Sequence, residues 1–165
     1  MVHAEPQAPT TPLEALALSE RFMLWTFRSW ACCCRARRLP AEPVVSAFAN
    51  IGAPAAAVAL DDAMTRLVLA TTRPLKVHCP PHEGLSADEQ RLVAAAAAAQ
   101  RHDRDDLARL FADVLPPPAS ALVGRSLMEL GAAIAMVGIL LPQPGPGTPV
   151  PAPADWLRPT AATLH

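Results

Sequence analysis

Cysteine and histidine residues cluster in a proline-rich segment near the middle of the chain. Residues 73–84 read RPLKVHCPPHEG, in which Cys79 and His82 have the spacing C-x-x-H and His78 is adjacent. Zinc favours tetrahedral sites of thiolate and imidazole ligands, and such a loop can supply two of the four. The other ligands would have to come from the run Cys32-Cys33-Cys34. The predicted metal ligands are Cys79, His82, His78 and Cys33, and the alternative is a proline-rigid turn with solvated histidines.

Two other kinds of chemistry are open to the same loop. Cys79 precedes Pro80, and a Cys-Pro pair can supply a thiolate ligand to haem. Cys79 can also act as a nucleophile with His78 or His82 as its base, although adjacent residues seldom have the required geometry. The chain contains no G-x-S-x-G, P-loop, H-E-x-x-H or dinucleotide-binding motif. We therefore expect a non-enzymatic protein without a cofactor, with a metal- or haem-binding sensor as the alternative.

Arginine residues recur every seven positions in the first predicted helix. Arg21, Arg28 and Arg35 have this spacing, and Trp25 lies four residues after Arg21. On a helix a seven-residue step drifts by only ~20°, so the three arginines form one stripe. The functional interpretation is a face that binds an unknown protein partner through Arg21, Trp25, Arg28 and Arg35. The alternative is a solvated face that is ion-paired to nearby acids such as Glu20 and Glu42.

The composition favours a helical protein. The chain has 165 residues, of which 52% are hydrophobic, 18% are charged and 4% are aromatic, and its net charge is −1. Abundant alanine with few aromatic and β-branched residues favours closely packed helices over a β-sandwich or barrel. The charge excludes a globally basic nucleic-acid binder and an acidic disordered chain. Residues 1–12 lack a basic segment followed by an apolar run, so we expect no signal peptide and a cytoplasmic location.

Turn and cap signals divide the chain into helices. Ser86-Ala87-Asp88-Glu89 is a capping box, Gly52 is a helix stop, and prolines separate the other segments. We predict an all-α fold, a single compact bundle of five to six helices over 13–141 between Pro-rich disordered segments at 1–12 and 142–165. The helices are expected at about 13–38, 43–51, 54–71, 87–102, 104–115 and 119–141. Within the first of them, Ser19-Glu20-Arg21-Phe22 offers an alternative start after a break near Ser19.

The last predicted helix is the most apolar. Its uncharged stretch Leu130–Leu141 has 12 residues, whereas a membrane span needs ~20. Extension towards the N-terminus brings in Arg125 and Glu129, so a buried core helix is the prediction and no membrane contact is expected. Gly124, Gly131 and Gly138 recur on this helix and predict one flat side for close packing. A membrane anchor through helix 119–141 stays an alternative, and a homo-oligomer is possible.

Several short segments resemble a known group of proteins. They are Glu20-Arg21-Phe22-Met23-Leu24-Trp25 with Arg28 and Trp30, Arg73-Pro74-Leu75, Cys79-Pro80, and Leu85-Ser86-Ala87-Asp88-Glu89 with Gln100. Over residues 20–141 the chain resembles a small uncharacterised family of all-helical proteins from proteobacteria. The resemblance implies a bacterial, cytoplasmic, helical protein and implies no activity or ligand. The expected function is therefore that of a small protein-interaction or regulatory module.

Overall fold

A computed structural model describes residues 13–143. Within this range the chain forms six α-helices and no strand, after a short 3₁₀ turn at Leu13–Ala15. The helices are α1 (Leu18–Arg35), α2 (Glu42–Asn50), α3 (Pro54–Ala70), α4 (Ala87–Gln100), α5 (Arg104–Phe111) and α6 (Pro117–Met136). The all-α prediction is confirmed. The disordered segments predicted at 1–12 and at 142–165, apart from residues 142 and 143, lie outside the described residues.

Local capping determines where several helices begin and end. At the start of α4, the backbone N–H of Glu89 donates to Ser86 Oγ at 3.1 Å, and the N–H of Ser86 donates to Glu89 Oε2 at 2.8 Å. This reciprocal pair is the predicted capping box. Gly52 follows α2 with φ +79°, a conformation that glycine adopts without steric cost.

Helix α1 is shorter than predicted at both ends. It begins at Leu18 rather than Leu13, because the N–H of Ala17 donates to the side chain of Glu20 at 2.8 Å and caps a separate helix. It ends at Arg35 rather than about Arg38, and Arg37 then takes φ +54°. Within α1 the sequence predicts Phe22, Met23, Phe27 and Trp30 as core residues; Met23, Phe27 and Trp30 are buried, and Phe22 is partly buried against the core.

Small side chains form the buried face of α3, which makes its most extensive contact with α6. We expected Val58, Met64, Leu67, Val68 and Leu69 to be the main apolar residues of this helix. Met64 and Leu67 are buried, but Val58, Val68 and Leu69 are 71%, 48% and 81% exposed. The buried face contains alanines at 56, 57, 59 and 63 with Leu60. Short side chains let the axes of two helices approach closely. The side of α3 that packs against α6 is therefore chosen by how well the side chains fit in size, and not by hydrophobicity alone.

Helices α4 and α6 pack closely at Gly131. A Cβ atom at this position would lie 2.9 Å from the Cα atom of Gln100, so no larger residue fits without a backbone shift. A Cβ atom at Gly124 would lie 3.6 Å from Cδ1 of Leu107, which is an ordinary contact distance. Gly138 lies beyond the end of α6, with φ +82° and open space around it. The predicted flat side therefore extends over two of the three glycines.

Among the described helices, α6 alone has the length and the apolar composition that a membrane-spanning helix needs. In its most apolar window, 44% of the residues are buried inside the protein. Its buried face includes Val123, Leu127, Leu130 and Ile134, which belong to the main hydrophobic core.

Candidate functional site

A buried carboxylate, Glu89, holds the loop between α3 and α4. This loop, residues 71–86, is called the Cys79 loop below. Glu89 accepts two hydrogen bonds from the Arg28 guanidinium, from Nε at 2.8 Å and from Nη2 at 3.0 Å. It also accepts the backbone N–H groups of Ser86 and His78, each at 2.8 Å, and lies 3.0 Å from His78 Nδ1. One side chain thus joins the middle of α1, the Cys79 loop and the start of α4.

The neighbouring carboxylate, Asp88, holds the beginning of the same loop. Arg73 donates to its two oxygens at 2.8 and 3.0 Å, and the backbone N–H of Lys76 donates at 2.8 Å. Arg91 donates to Asp88 at 3.1 Å and to Asp113 at 2.9 Å, which extends the network to the segment after α5. Residues 72–86 lie outside any helix, and these contacts help to hold their backbone in place.

Burial favours the protonated form of Glu89, but the surrounding donors outweigh it. The hydrogen bonds from Arg28, from the backbone of Ser86 and His78, and from the His78 ring lower the pKa of Glu89 to about 2. The pKa of Asp88 is lowered in the same way, because burial is outweighed by Arg73, Lys76 N–H and Arg91. Both carboxylates are therefore ionised at neutral pH.

The position of Arg28 corrects the predicted arginine stripe. Both interpretations of the stripe require an accessible Arg28, but this residue is 2% exposed and also donates to the backbone carbonyls of His82 and Gly84. The Cys79 loop and α4 cover the middle of α1, so the seven-residue spacing does not produce a continuous solvent face. Arg28 cannot contact a partner in this fold.

The other predicted partner residues do reach the surface. Arg21 is exposed and donates to the backbone carbonyls of Leu16 and Glu14, both at 3.1 Å. Trp25 is half-buried, with its ring 6.5 Å from that of Phe22 in a stacked arrangement. Arg35, at the end of α1, is exposed. The predicted face is therefore divided by the buried Arg28 into a part around Arg21 and Trp25 and a part around Arg35.

The end of α1 and the Cys79 loop bring two thiols together. Cys79 Sγ lies 2.9 Å from Cys32 Sγ, and Arg35 Nη2 lies 3.4 Å from Cys79 Sγ. Arg35 Nη1 donates to the carbonyl of Val77 at 3.0 Å, which holds the guanidinium beside the sulfur. Cys79 is exposed and Cys32 is partly exposed. The pair is thus accessible to solutes.

The two thiols differ in acidity. The hydrogen bond from Cys32 and then the Arg35 guanidinium lower the pKa of Cys79, because both stabilise its thiolate. The pKa of Cys32 is raised, first by its hydrogen bond to Cys79 and then by burial. Cys79 is therefore the thiol that ionises first, and a thiolate is the reactive form of cysteine.

The structure brings some of the predicted metal ligands together but does not place Cys33 beside Cys79. Cys33 packs against the hydrophobic core, so Cys79 meets Cys32 instead. His78 Nδ1 is engaged by Glu89, and the rings of His78 and His82 meet edge to face at a centroid distance of 3.7 Å. Among residues 13–143, no group of three or more His, Cys, Asp or Glu side chains has the arrangement that could hold a metal ion.

Sequence reasoning placed the run Cys32-Cys33-Cys34 beside Cys79 but selected Cys33 rather than Cys32, and it missed the structural role of Asp88 and Glu89. A signal for Cys32 existed, since it follows Arg28 by four residues and therefore shares its side of the helix. Asp88 and Glu89 carried only the signature of a helix start. Their partners Arg73 and Arg28 are 15 and 61 residues away in the chain.

A groove of about 510 Å³ lies next to the thiol pair. It runs between α1, α3 and the Cys79 loop, and Arg35 and Cys34 are among its lining residues. Its other walls are largely apolar, with Trp30, Met64 and Leu75. Cys32 and Cys79 do not line this groove, and Arg35 is the residue that it shares with the thiol pair.

No protein-family model, curated protein or solved structure matches this chain, so its function is argued from the geometry of this site.

Proposed function

We propose that this chain is a non-enzymatic regulatory module in which Cys32 and Cys79 form a reversible disulfide. The observation that carries the proposal is the 2.9 Å separation of two accessible sulfur atoms beside Arg35. A disulfide bond is ~2.05 Å long, so the sulfurs need to approach by less than about 1 Å. In the reducing cytoplasm of a bacterium, which the family resemblance implies, such a pair stays reduced until the thiol pool is oxidised.

The difference in acidity between the two thiols supports an order of events. The Cys79 thiolate attacks one sulfur of a small-molecule disulfide, which forms a mixed disulfide at Cys79 and releases one thiolate. Cys32 then loses its proton to solvent and attacks the Cys79 sulfur, which expels the second thiolate. Two protein thiols are oxidised to a disulfide, and the small disulfide is reduced to two thiols.

The position of the pair supports a regulatory consequence. Oxidation links the Cys79 loop covalently to α1 and removes the ionisable thiol that faces Arg35. The Arg35 guanidinium thereby loses a neighbour that can become an anion, so the charge at this end of α1 no longer depends on the ionisation of Cys79. We propose that a protein partner binds the reduced and oxidised forms with different affinity. Arg35 would be its main contact residue, and Arg21 and Trp25 would form a second contact region.

Titration of the full-length protein in buffers of reduced and oxidised glutathione tests the disulfide. We expect one intramolecular disulfide, seen as the loss of two hydrogen atoms in the intact mass and located by peptide mapping between Cys32 and Cys79. Cys32→Ser and Cys79→Ser should abolish it, whereas Cys33→Ser is the matched control and should leave it unchanged. Pairing of Cys79 with Cys33 or Cys34, or no intramolecular disulfide under oxidising conditions, would refute the proposal.

A second experiment tests the regulatory role. A pull-down with the reduced protein and with the oxidised protein should recover different partners, and Arg35→Glu should remove those that depend on oxidation state. The Arg38→Glu variant changes a nearby exposed arginine and serves as the control. If the reduced and oxidised proteins recover the same partners, the disulfide does not have the proposed regulatory role.

A further inference from the structure

A second groove lies between α5 and α6, away from the thiol pair in the chain. Its volume is about 630 Å³, within the range of small-molecule sites, which is about 300–1,000 Å³. Apolar side chains form most of its walls, namely Leu107, Ala108, Ala112, Leu115 and Met128. Gly124 contributes a wall without a side chain, so the groove is open against the backbone of α6 at this point.

One residue of the groove wall has a polar atom that no described residue satisfies. Ser120 is 6% exposed and lines the groove, and its Oγ has no hydrogen-bond partner among residues 13–143. A buried hydroxyl without a partner is unfavourable, because it has lost its bonds to water and gained none in return. A ligand with a hydrogen-bond acceptor would remove this cost, and an apolar ligand would not.

Two arginines line the same groove. Arg104 makes no ion pair or side-chain hydrogen bond within residues 13–143. Arg125 lies 3.4 Å from Glu129, but both side chains are largely exposed and such a pair contributes little. The acceptor that complements Ser120 and two guanidinium groups is an anion, and the apolar walls require that this anion carry a hydrocarbon part.

We propose that the groove between α5 and α6 binds a medium-chain fatty acid. The carboxylate is held by Arg104 and Arg125 and accepts a hydrogen bond from Ser120 Oγ, and the hydrocarbon chain lies along Leu107, Leu115 and Met128. Arginine suits this role because its planar guanidinium can bind a carboxylate through two hydrogen bonds. The site uses different residues from the thiol pair and does not depend on its function.

Calorimetric titration of the full-length protein with decanoate tests the proposal, with decanol as the uncharged probe of similar chain length. We expect saturable binding of one decanoate per chain and binding of decanol that is at least about tenfold weaker, since the uncharged hydroxyl lacks the charge-assisted hydrogen bonds of the carboxylate. Arg104→Gln and Arg125→Gln should each weaken decanoate binding by about tenfold or more. Arg109→Gln, which changes an α5 arginine that does not line the groove, should not.

Two further variants separate the loss of the site from the loss of the fold. Ser120→Ala removes the unpartnered hydroxyl, so the protein should stay as stable as the wild type while decanoate binds more weakly. Ala121→Trp should fill the groove and abolish binding while the helical circular dichroism spectrum is retained. Equal affinity for decanol and decanoate, wild-type affinity in the Ala121→Trp variant, or no saturable binding would each overturn the proposal. Cys79→Ser should bind decanoate normally, which keeps this result independent of the redox proposal.

Discussion

The Arg28–Glu89 ion pair is the buried charge pair on which the candidate site is built. Both side chains are almost fully inaccessible, at 2% and 0%, and Glu89 makes three further contacts with His78 and Ser86 of the Cys79 loop. A buried ion pair of this kind contributes little to the stability of the folded protein when compared with apolar residues of the same shape. Removal of one partner is costly, however, because the other charge is then left without compensation.

We predict that Glu89→Gln lowers the free energy of unfolding by about 3–5 kcal/mol. The wild-type protein should also lose stability in acid. The pKa of Glu89 is about 2 in the folded protein and 4.5 in its reference state. Its ionisation therefore stabilises the fold above pH 4.5, and this contribution is lost as the pH falls towards 2. Urea denaturation at several pH values measures both effects.

The control for this prediction is Glu129→Gln, which removes an exposed carboxylate paired with Arg125. Its effect should stay below about 1 kcal/mol. If Glu89→Gln shows the same dependence of stability on pH as the wild type between pH 4.5 and 2, Glu89 is not the titrating group.

We predict that Arg35→Ala shifts the pH profile of Cys79 alkylation to higher pH. The Arg35 guanidinium contributes to the lowered pKa of Cys79, so its removal reduces the thiolate fraction at any pH below that pKa. The measurement is the rate of iodoacetamide modification of the Cys79 peptide, followed by mass spectrometry. Arg38→Ala is the matched control, and equal shifts in both variants would show that Arg35 has no specific effect.

Among the helices, the contact between α4 and α6 shows how an element is positioned by its smallest residues. Buried alanines on α4 and Gly131 on α6 leave no side chain between parts of the two backbones. Gln100, at the end of α4, then donates to the carbonyl of Ile139 at 2.8 Å and accepts the N–H of Leu141 at 2.8 Å. The segment after α6 is thereby held against α4.

We predict opposite effects for alanine at two glycines of α6. Alanine is favoured over glycine in a helix by about 1 kcal/mol, but at Gly131 its Cβ would lie 2.9 Å from the backbone of Gln100. Gly131→Ala should therefore destabilise the protein by ~1–3 kcal/mol. Gly124→Ala makes only a 3.6 Å contact with Leu107 and should be neutral or stabilising. Thermal unfolding compares them, and equal changes would contradict the close packing at Gly131.

At the scale of the whole molecule, the Cys79 loop is connected to most of the fold. It bonds to α1 through Arg28 and to α4 through Asp88 and Glu89. Near its start, the N–H of Thr72 donates to the carbonyl of Val114, after α5, at 2.9 Å. A covalent bond between Cys32 and Cys79 would fix the middle of this loop to α1 and close the chain between the two residues into one ring.

We predict that oxidation of the Cys32–Cys79 pair stabilises the protein. The bond would close a loop of 47 residues, for which the loss of unfolded-state entropy corresponds to at most about 4 kcal/mol. Urea denaturation with and without reductant measures the difference. Cys32→Ser should show no dependence on reductant, and an oxidised wild-type protein that is no more stable than the reduced one would contradict the prediction.

The residues alone were sufficient to predict the helical class, the capping box at Ser86 and the helix stop at Gly52. Each of these features depends on residues that are a few positions apart, so the local sequence contains the interactions that produce it. The surface of α3 was not predictable in this way, because Val58 and Leu69 are more apolar than the alanines that replace them in the core. The choice between the two faces depends on the shape of α6, which lies elsewhere in the chain.

The tertiary structure decided which residues meet at the candidate site. Cys32, Cys33 and Cys34 are chemically identical neighbours, and only the rotation of α1 against the core directs Cys32 towards Cys79 and leaves Cys33 partly buried against the core. Arg28 likewise belongs to a regular arginine series by sequence, yet α4 and the Cys79 loop enclose it. Local spacing determines the side of a helix on which a residue lies. Contacts between residues 47 and 61 positions apart determine what covers that side.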